Sequence, residues 1–137
     1  MKTDFDDVVG KRVLDLMIER GGESYARFVT DAGNIDYGTE GDCCSVTWFS
    51  DVIAPQNIRG QVVERVEALD LPNPTDERER SEEDRVYGHR FHTALGYCDI
   101  IYRNASNGYY GGSCFRVKSV PNDAESRLAS VETDFTA

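Results

Sequence analysis

Apolar and polar residues alternate along several short segments of the chain, and this period of two is typical of β-strands. Turn residues such as Gly21, Gly22 and the Asp-Ala-Gly-Asn at 31–34 separate them, and short connections of this kind favour antiparallel pairing. The predicted strands lie at 13–19, 25–30, 34–37, 62–71, 87–94, 97–103 and within 109–117. The pattern therefore predicts a mainly β fold.

The strand pattern occurs twice. Residues 7–16 resemble residues 57–66 at an offset of 50, and residues 25–33 resemble residues 87–96, with Phe, Thr and Gly repeated at an offset of 63. The offsets differ by the length of 72–84, an acidic, proline-containing stretch that we interpret as a loop inserted into the second copy.

The repeats predict the domain organisation. We expect two pseudo-repeated antiparallel meanders, about 7–50 and 57–117, which bury their apolar faces against each other as a small sandwich or barrel. They would form one β-rich domain over 1–121, followed by a polar tail or short helix over 122–137.

Short helices are also expected between the strands. Cys44, Trp48 and Val52 have the i, i+4, i+8 spacing of a helical stripe, with Asp42 as its N-cap and Pro55 at its end.

Two further helical segments are expected near the chain ends. Asn122 and Glu125 resemble a capping box, and Ala124 and Leu128 fall on one helical face. One helical turn is expected just before Gly10.

Composition and charge exclude several function classes. The 137 residues include 15 Lys and Arg against 25 Asp and Glu, a net charge of −10 that repels nucleic-acid phosphates. No apolar run is long enough to span a membrane, and the amino terminus is acidic, unlike a signal peptide. We therefore expect a cytoplasmic protein, within a host cell, with no membrane partner and no non-specific nucleic-acid binding. In this compartment the four cysteines are expected to be reduced.

Two segments carry the candidate chemistry, one after the third strand of each copy. They combine glycines, which permit close backbone approach, with flat aromatic rings and polar side chains. Pseudo-symmetry would place them at equivalent positions. The candidate ligand-binding residues are Asp42, Cys43, Cys44, Ser45, Trp48, Arg103, Ser106, Asn107, Gly108, Tyr109 and Tyr110.

These segments, Gly-Asp-Cys-Cys-Ser-x-x-Trp at 41–48 and Ser-Asn-Gly-Tyr-Tyr-x-Gly at 106–112, resemble a family of small uncharacterised proteins of phages and actinobacteria. The resemblance covers about residues 8–117. It implies a phage origin and an accessory or anti-defence role, and it carries no catalytic assignment.

Each segment has two interpretations. A helix that begins at Asp42 would present N–H groups to an anion beside two thiols, or Asp42 would occupy those donors itself while Cys44 and Trp48 pack inward. Tyr109 and Tyr110 are adjacent on a predicted strand, so one of them faces away from the core.

The remaining chemistry is weaker. Cys43 with His89 or His92 would suit a thiol nucleophile and its base. Potential zinc ligands are Cys43, Cys44, Cys98, Cys114, His89 and His92. No metal-binding or catalytic signature fixes these residues, and His89 and His92 face opposite sides of a strand. Phosphate-loop patterns are absent. We therefore expect no metal, no cofactor and no catalytic residues.

These observations favour a non-enzymatic phage accessory protein that sequesters a small nucleotide-like immune signal. The alternative is a protein–protein interaction module, either a virion component or an acidic inhibitor of a host protein, which would use the charge of −10 and the insert at 72–84. A thiol or zinc hydrolase is the third hypothesis, and self-association into a homo-oligomer is left open.

Overall fold

Two open antiparallel sheets form the protein. The computed structural model describes residues 4–41, 45–71, 83–106 and 112–137. The strands are β1 (Arg12–Glu19), β2 (Tyr25–Thr30), β3 (Gly33–Gly41), β4 (Val46–Ile53), β5 (Gln61–Val62), β6 (Arg65–Leu69), β7 (Glu83–Thr93), β8 (Gly96–Ser106), β9 (Gly112–Val117), β10 (Leu128–Ser130) and β11 (Phe135–Thr136). A four-residue helix α1 (Asn122–Glu125) and two 3-10 turns (Asp4–Val8 and Pro55–Asn57) complete the described elements.

The strands divide between the sheets in a sandwich-like arrangement. Sheet 1 has the order β10-β1-β2-β3-β9, with β5 paired to β1, and sheet 2 has the order β11-β4-β8-β7-β6. The predicted mainly β class with antiparallel meanders is confirmed. Of the two architectures that the sequence allowed, the structure has a sandwich, because neither sheet closes on itself.

Each repeat supplies a meander to one sheet and its next strand to the other. The meander β1-β2-β3 is completed in sheet 1 by β9, which follows the second meander in the chain. The meander β6-β7-β8 is completed in sheet 2 by β4, which follows the first meander. The two copies are therefore interleaved through exchanged strands.

The repeated glycines lie at equivalent backbone positions. Gly10 and Gly60 have φ angles of 84° and 78°, a region that L side chains rarely adopt. The N–H of Gly10 donates to the carbonyl of Val63 at 2.8 Å, and the N–H of Gly60 donates to the carbonyl of Val13 at 2.6 Å. These reciprocal bonds link the starts of the two copies.

The repeat also includes two equivalent ion pairs, whose aspartates lie outside the segments that are similar in sequence. Arg27 donates from Nε and Nη2 to both oxygens of Asp36, at 2.9 and 3.0 Å. Arg90 and Asp99, each 63 residues later, have the same bidentate geometry at 2.8 and 2.9 Å. Equivalent hairpins therefore carry equivalent Arg–Asp pairs.

Aromatic rings from both copies fill the core. Phe28 and its counterpart Phe91 lie 5.3 Å apart between ring centroids, and both are fully buried. Phe5, from the first 3-10 turn, packs 4.5 Å from Tyr37. The helical turn expected before Gly10 is thus confirmed as a 3-10 turn, and its function is to supply a core aromatic ring.

The helix expected over 44–52 is wrong. The chain from Val46 to Ile53 is strand β4, with seven residues in register with β8. A bulge between Phe49 and Asp51 lets both Phe49 and Val52 face the core. The apparent helical stripe therefore places Trp48 and Val52 on different faces. Residues 45–53, the described part of this stretch, contain no helix amino terminus that could bind an anion.

The carboxyl-terminal helix is shorter than the capping pattern indicated. Helix α1 ends at Glu125, its N-cap is Pro121, and no side chain caps it. Leu128 lies on β10, which pairs with β1, and β11 pairs with β4. The segment 122–137 thus contributes one short strand to each sheet.

The strand expected over 62–71 is divided between the sheets. Gln61 and Val62 pair with β1, whereas Arg65–Leu69 pair with β7. Of the expected insert, residues 83 and 84 belong to β7 and residues 72–82 lie outside the described part of the chain. A search of the described helices finds none with the length and hydropathy of a membrane-spanning segment.

Candidate functional site

Strand pairing joins the two candidate segments at their ends. Gly41, the first residue of the first segment, is in register with Gly112, the last residue of the second. Val46 at the start of β4 is in register with Ala105 near the end of β8. Both segments therefore begin and end beside one another, at one end of the sandwich.

Side-chain bonds fix the corner where the chain leaves sheet 1 for sheet 2. Thr39 Oγ1 donates to the carbonyl of Thr47 at 3.0 Å, and Thr47 Oγ1 donates to the carbonyl of Glu40 at 3.2 Å. The N–H of Phe49 donates to the carbonyl of Glu23 at 2.8 Å. These bonds hold the start of β4 against both sheets and give the site a rigid base.

Trp48 and Arg103 lie together on the outer face of sheet 2. They are register partners on β4 and β8, and Arg103 Cζ is 6.0 Å from the Trp48 ring centroid, within cation–π range. Both side chains are half-buried. The structure thus brings together two of the predicted site residues, one with an aromatic plane and one with a guanidinium group.

A second polar row lies on the inner side of the same strand ends. Thr47, Asn104 and Arg85 are consecutive register partners across β4, β8 and β7. Asn104 is fully buried, and Arg85 is half-buried. Buried amide and guanidinium groups require hydrogen-bonding partners. This inner row is therefore polar, unlike the apolar core that it borders.

Aromatic rings lie directly beneath this inner row. The rings of Tyr87 and Tyr102 are stacked with centroids 4.9 Å apart, and His89 is parallel to Tyr102 at 6.3 Å. Burial raises the pKa of Tyr102, and burial lowers the pKa of His89 despite the opposing charge of Asp6. Both side chains are therefore neutral at physiological pH.

Sequence reasoning missed the inner row and the tyrosines beneath it. Arg85 lies between the acidic stretch at 72–84 and the predicted strand at 87–94, and neither prediction included it. The sequence did contain a signal. Arg85, Tyr87, His89 and Phe91 occupy every second position and therefore share one face of a strand, so the arginine in this series indicates that the core becomes polar at that end.

Most of the other predicted site residues lie outside the described part of the chain. These are Asp42, Cys43, Cys44, Asn107, Gly108, Tyr109 and Tyr110. Ser45 is half-buried immediately before β4, and the backbone of Ser106 ends β8 in register with Glu83. The described members of the candidate site are therefore Ser45, Trp48, Arg103 and Ser106, and the predictions for the others stay predictions.

The described cysteines and histidines do not form a catalytic group. Burial raises the pKa of Cys98 to about 12 and raises that of Cys114, so both thiols are protonated. His89 faces the core, whereas His92 lies on the outer face, 2.7 Å from Glu67. Within the described ranges, no three His, Cys, Asp or Glu residues are placed to hold a metal ion.

A separate groove of about 400 Å³ is lined by Arg20 and residues 130–136. None of the predicted ligand-binding residues lines it.

Comparison with known proteins identifies the family. The profile of the family described as "Domain of unknown function (DUF7448)" matches residues 6–115. The chain belongs to this family. The matched region runs from the first 3-10 turn into β9, so it contains both repeats and the residues of the candidate site, and leaves out α1, β10 and β11. No curated protein and no solved structure matches the chain.

Proposed function

We propose that this DUF7448 protein is a non-enzymatic binding protein that captures a small nucleotide-like ligand at the end of the sandwich where its two candidate segments begin and end. The observation that supports this most directly is the Trp48–Arg103 pair at that end. A nucleotide offers a planar base to an aromatic ring and a phosphate to a guanidinium group.

Local charge supports the same ligand class. The chain carries a net charge of −10, yet Arg103 and Arg85, the register partners of Trp48 and Asn104, place one arginine on each face of sheet 2 at this end. A guanidinium group at one place on an acidic protein attracts a small anion, while the overall field repels a long polyanion. Sequestration of a nucleotide-like immune signal by a phage accessory protein is the role we propose for this chemistry.

Intrinsic fluorescence provides a direct test, because Trp48 is the single tryptophan of the chain. Cyclic dinucleotides and ADP-ribose-derived nucleotides are titrated into the protein, with calorimetry in parallel. We expect quenching by at least one of them. Trp48→Ala should weaken that binding, measured by heat, by roughly 5- to 100-fold, the range for loss of one stacked base.

Tyr97→Ala is the matched control, because Tyr97 is an exposed aromatic residue on the same outer face but at the opposite end of β8. Its affinity should equal that of the unmodified protein. Absence of heat and of quenching with every nucleotide tested, or equal losses in both variants, would rule out capture at this site.

A further inference from the structure

The two equivalent Arg–Asp pairs have different surroundings, and the difference indicates a docking surface. On sheet 1, the carboxyl-terminal segment covers the pair. The N–H of Val120 donates to Asp36 Oδ2 at 2.9 Å, and Glu125 Oε1 accepts from Arg27 Nη1 at 2.9 Å. Val120 and Ala124 are 1% and 2% exposed, so the segment also buries apolar side chains there.

On sheet 2, the described residues provide no such cover. Arg90 uses Nε and Nη2 for Asp99, as Arg27 does for Asp36, but no described residue accepts from Arg90 Nη1. The Arg90 side chain is 30% exposed, against 10% for Arg27. Glu125 binds Nη1 of Arg27 on sheet 1, and no described residue takes the equivalent place beside Nη1 of Arg90 on sheet 2.

Two contacts fix the orientation of the Arg90 guanidinium group. Asp99 fixes one edge of it, and the ring of Tyr97 lies 3.8 Å from Cζ. These contacts restrict the rotamers of a long side chain before any partner arrives, which lowers the entropic cost of binding. The carboxylate of Glu67 on the neighbouring strand is bound to His92 instead.

Exposed apolar side chains lie near the Arg90–Asp99 pair. Ile53, the register partner of Asp99, is 42% exposed, and Tyr97, whose ring lies against the Arg90 guanidinium group, is 44% exposed. Apolar area next to the Arg90 cation favours an occupant with small apolar side chains and a carboxylate.

We propose that the outer face of sheet 2 around Arg90 docks a short segment of a partner protein that carries a carboxylate and small apolar side chains, as Val120–Glu125 do on sheet 1. The carboxylate binds Arg90 Nη1, a backbone N–H donates to Asp99, and apolar side chains cover Ile53 and Tyr97. The proposal is independent of nucleotide capture, because Arg103 lies four residues from Asp99 along β8, about 13 Å at the rise of a strand.

The test uses the full chain and a blocked synthetic peptide with the sequence of residues 118–127, the segment seen on sheet 1. Its binding is followed by ¹⁵N NMR, including the Nε–H signal of Arg90. We expect shifts at Arg90, Tyr97 and Ile53. A peptide with glutamine in place of its glutamate should bind about fivefold more weakly, as expected for loss of one partly exposed ion pair.

Protein variants locate the contact. Arg90→Gln should weaken peptide binding about fivefold, whereas Arg65→Gln, which removes the same charge from the same face, should change it less than twofold. The glutamine peptide on the unmodified protein gives the same information if Arg90→Gln does not fold. Three results would overturn the proposal: no shifts on sheet 2, equal losses in both variants, or identical shifts produced by inorganic phosphate, which would indicate a simple anion site.

Discussion

The two sheets use one ion-pair design in two different ways. On sheet 1, Arg27 and Asp36 are covered by the chain itself, and each has a second partner besides the other. On sheet 2, Arg90 and Asp99 keep the same bidentate geometry, but Arg90 reaches solvent. The same pair therefore serves packing where a segment of the chain covers it, and where none of the described residues covers it, recognition is the role that we propose.

The largest expected effect on stability comes from replacing the aspartate of each Arg–Asp pair. Asp36→Asn leaves Arg27 buried without its counter-charge, and we expect a loss of roughly 3 kcal/mol in the free energy of unfolding, measured in urea. Asp99→Asn should cost less than half as much, because water reaches Arg90. Equal losses would show that the cover over sheet 1 has no energetic consequence.

Low pH should reduce the free energy of unfolding through His89, a titratable core residue that has no titratable counterpart in sheet 1. His89 corresponds to Ala26 of sheet 1, and burial lowers the pKa of His89 in the folded state. Above pH 6.5 the imidazole is neutral in both states, so this effect is absent. As the pH falls below about 6.5, the unfolded chain takes up a proton that the folded protein does not, and stability is lost at about 1.4 kcal/mol per unit of pKa lowering.

His89→Phe isolates this effect from the titration of carboxylates. The difference in unfolding free energy between the variant and the unmodified protein should grow in favour of phenylalanine between pH 7 and pH 5. A difference independent of pH would contradict the assignment. The variant also removes Nδ1, for which the described structure contains no hydrogen-bond partner.

The repeated glycines test whether the two copies are energetically equivalent. Gly10→Ala and Gly60→Ala each force a Cβ onto a positive φ, with no atom close enough to clash. Backbone strain alone should cost about 1 kcal/mol in each case. Thermal unfolding should therefore give similar shifts in Tm for the two variants, and unequal shifts would show that one junction is more important than the other.

The smallest effect is expected at the cover itself. Glu125 is half exposed, so Glu125→Gln should cost only about 0.5 kcal/mol. Since Val120 and Ala124 remain buried, the variant should keep its native spectrum. A loss comparable with that of Asp36→Asn would mean that Glu125 holds the segment in place.

The sequence contained much of the fold, because strands and turns depend on local alternation and on residues such as Gly33 and Gly96. It did not show β4, since the bulge after Phe49 shifts the faces of the strand and produces a helix-like spacing. Nor did it show the inner row with Asn104, because burial depends on strand partners that are distant in the chain. Trp48 and Arg103 were recognisable as residue types, but their pairing required the register of β4 and β8.

The crossing of β4 and β9 into opposite sheets makes each half of the chain dependent on the other. A polypeptide with one repeat alone would have a meander lacking its outer neighbour and a fourth strand lacking a sheet. Neither half can therefore complete its own sheet, and we expect the two halves to unfold together as one cooperative unit.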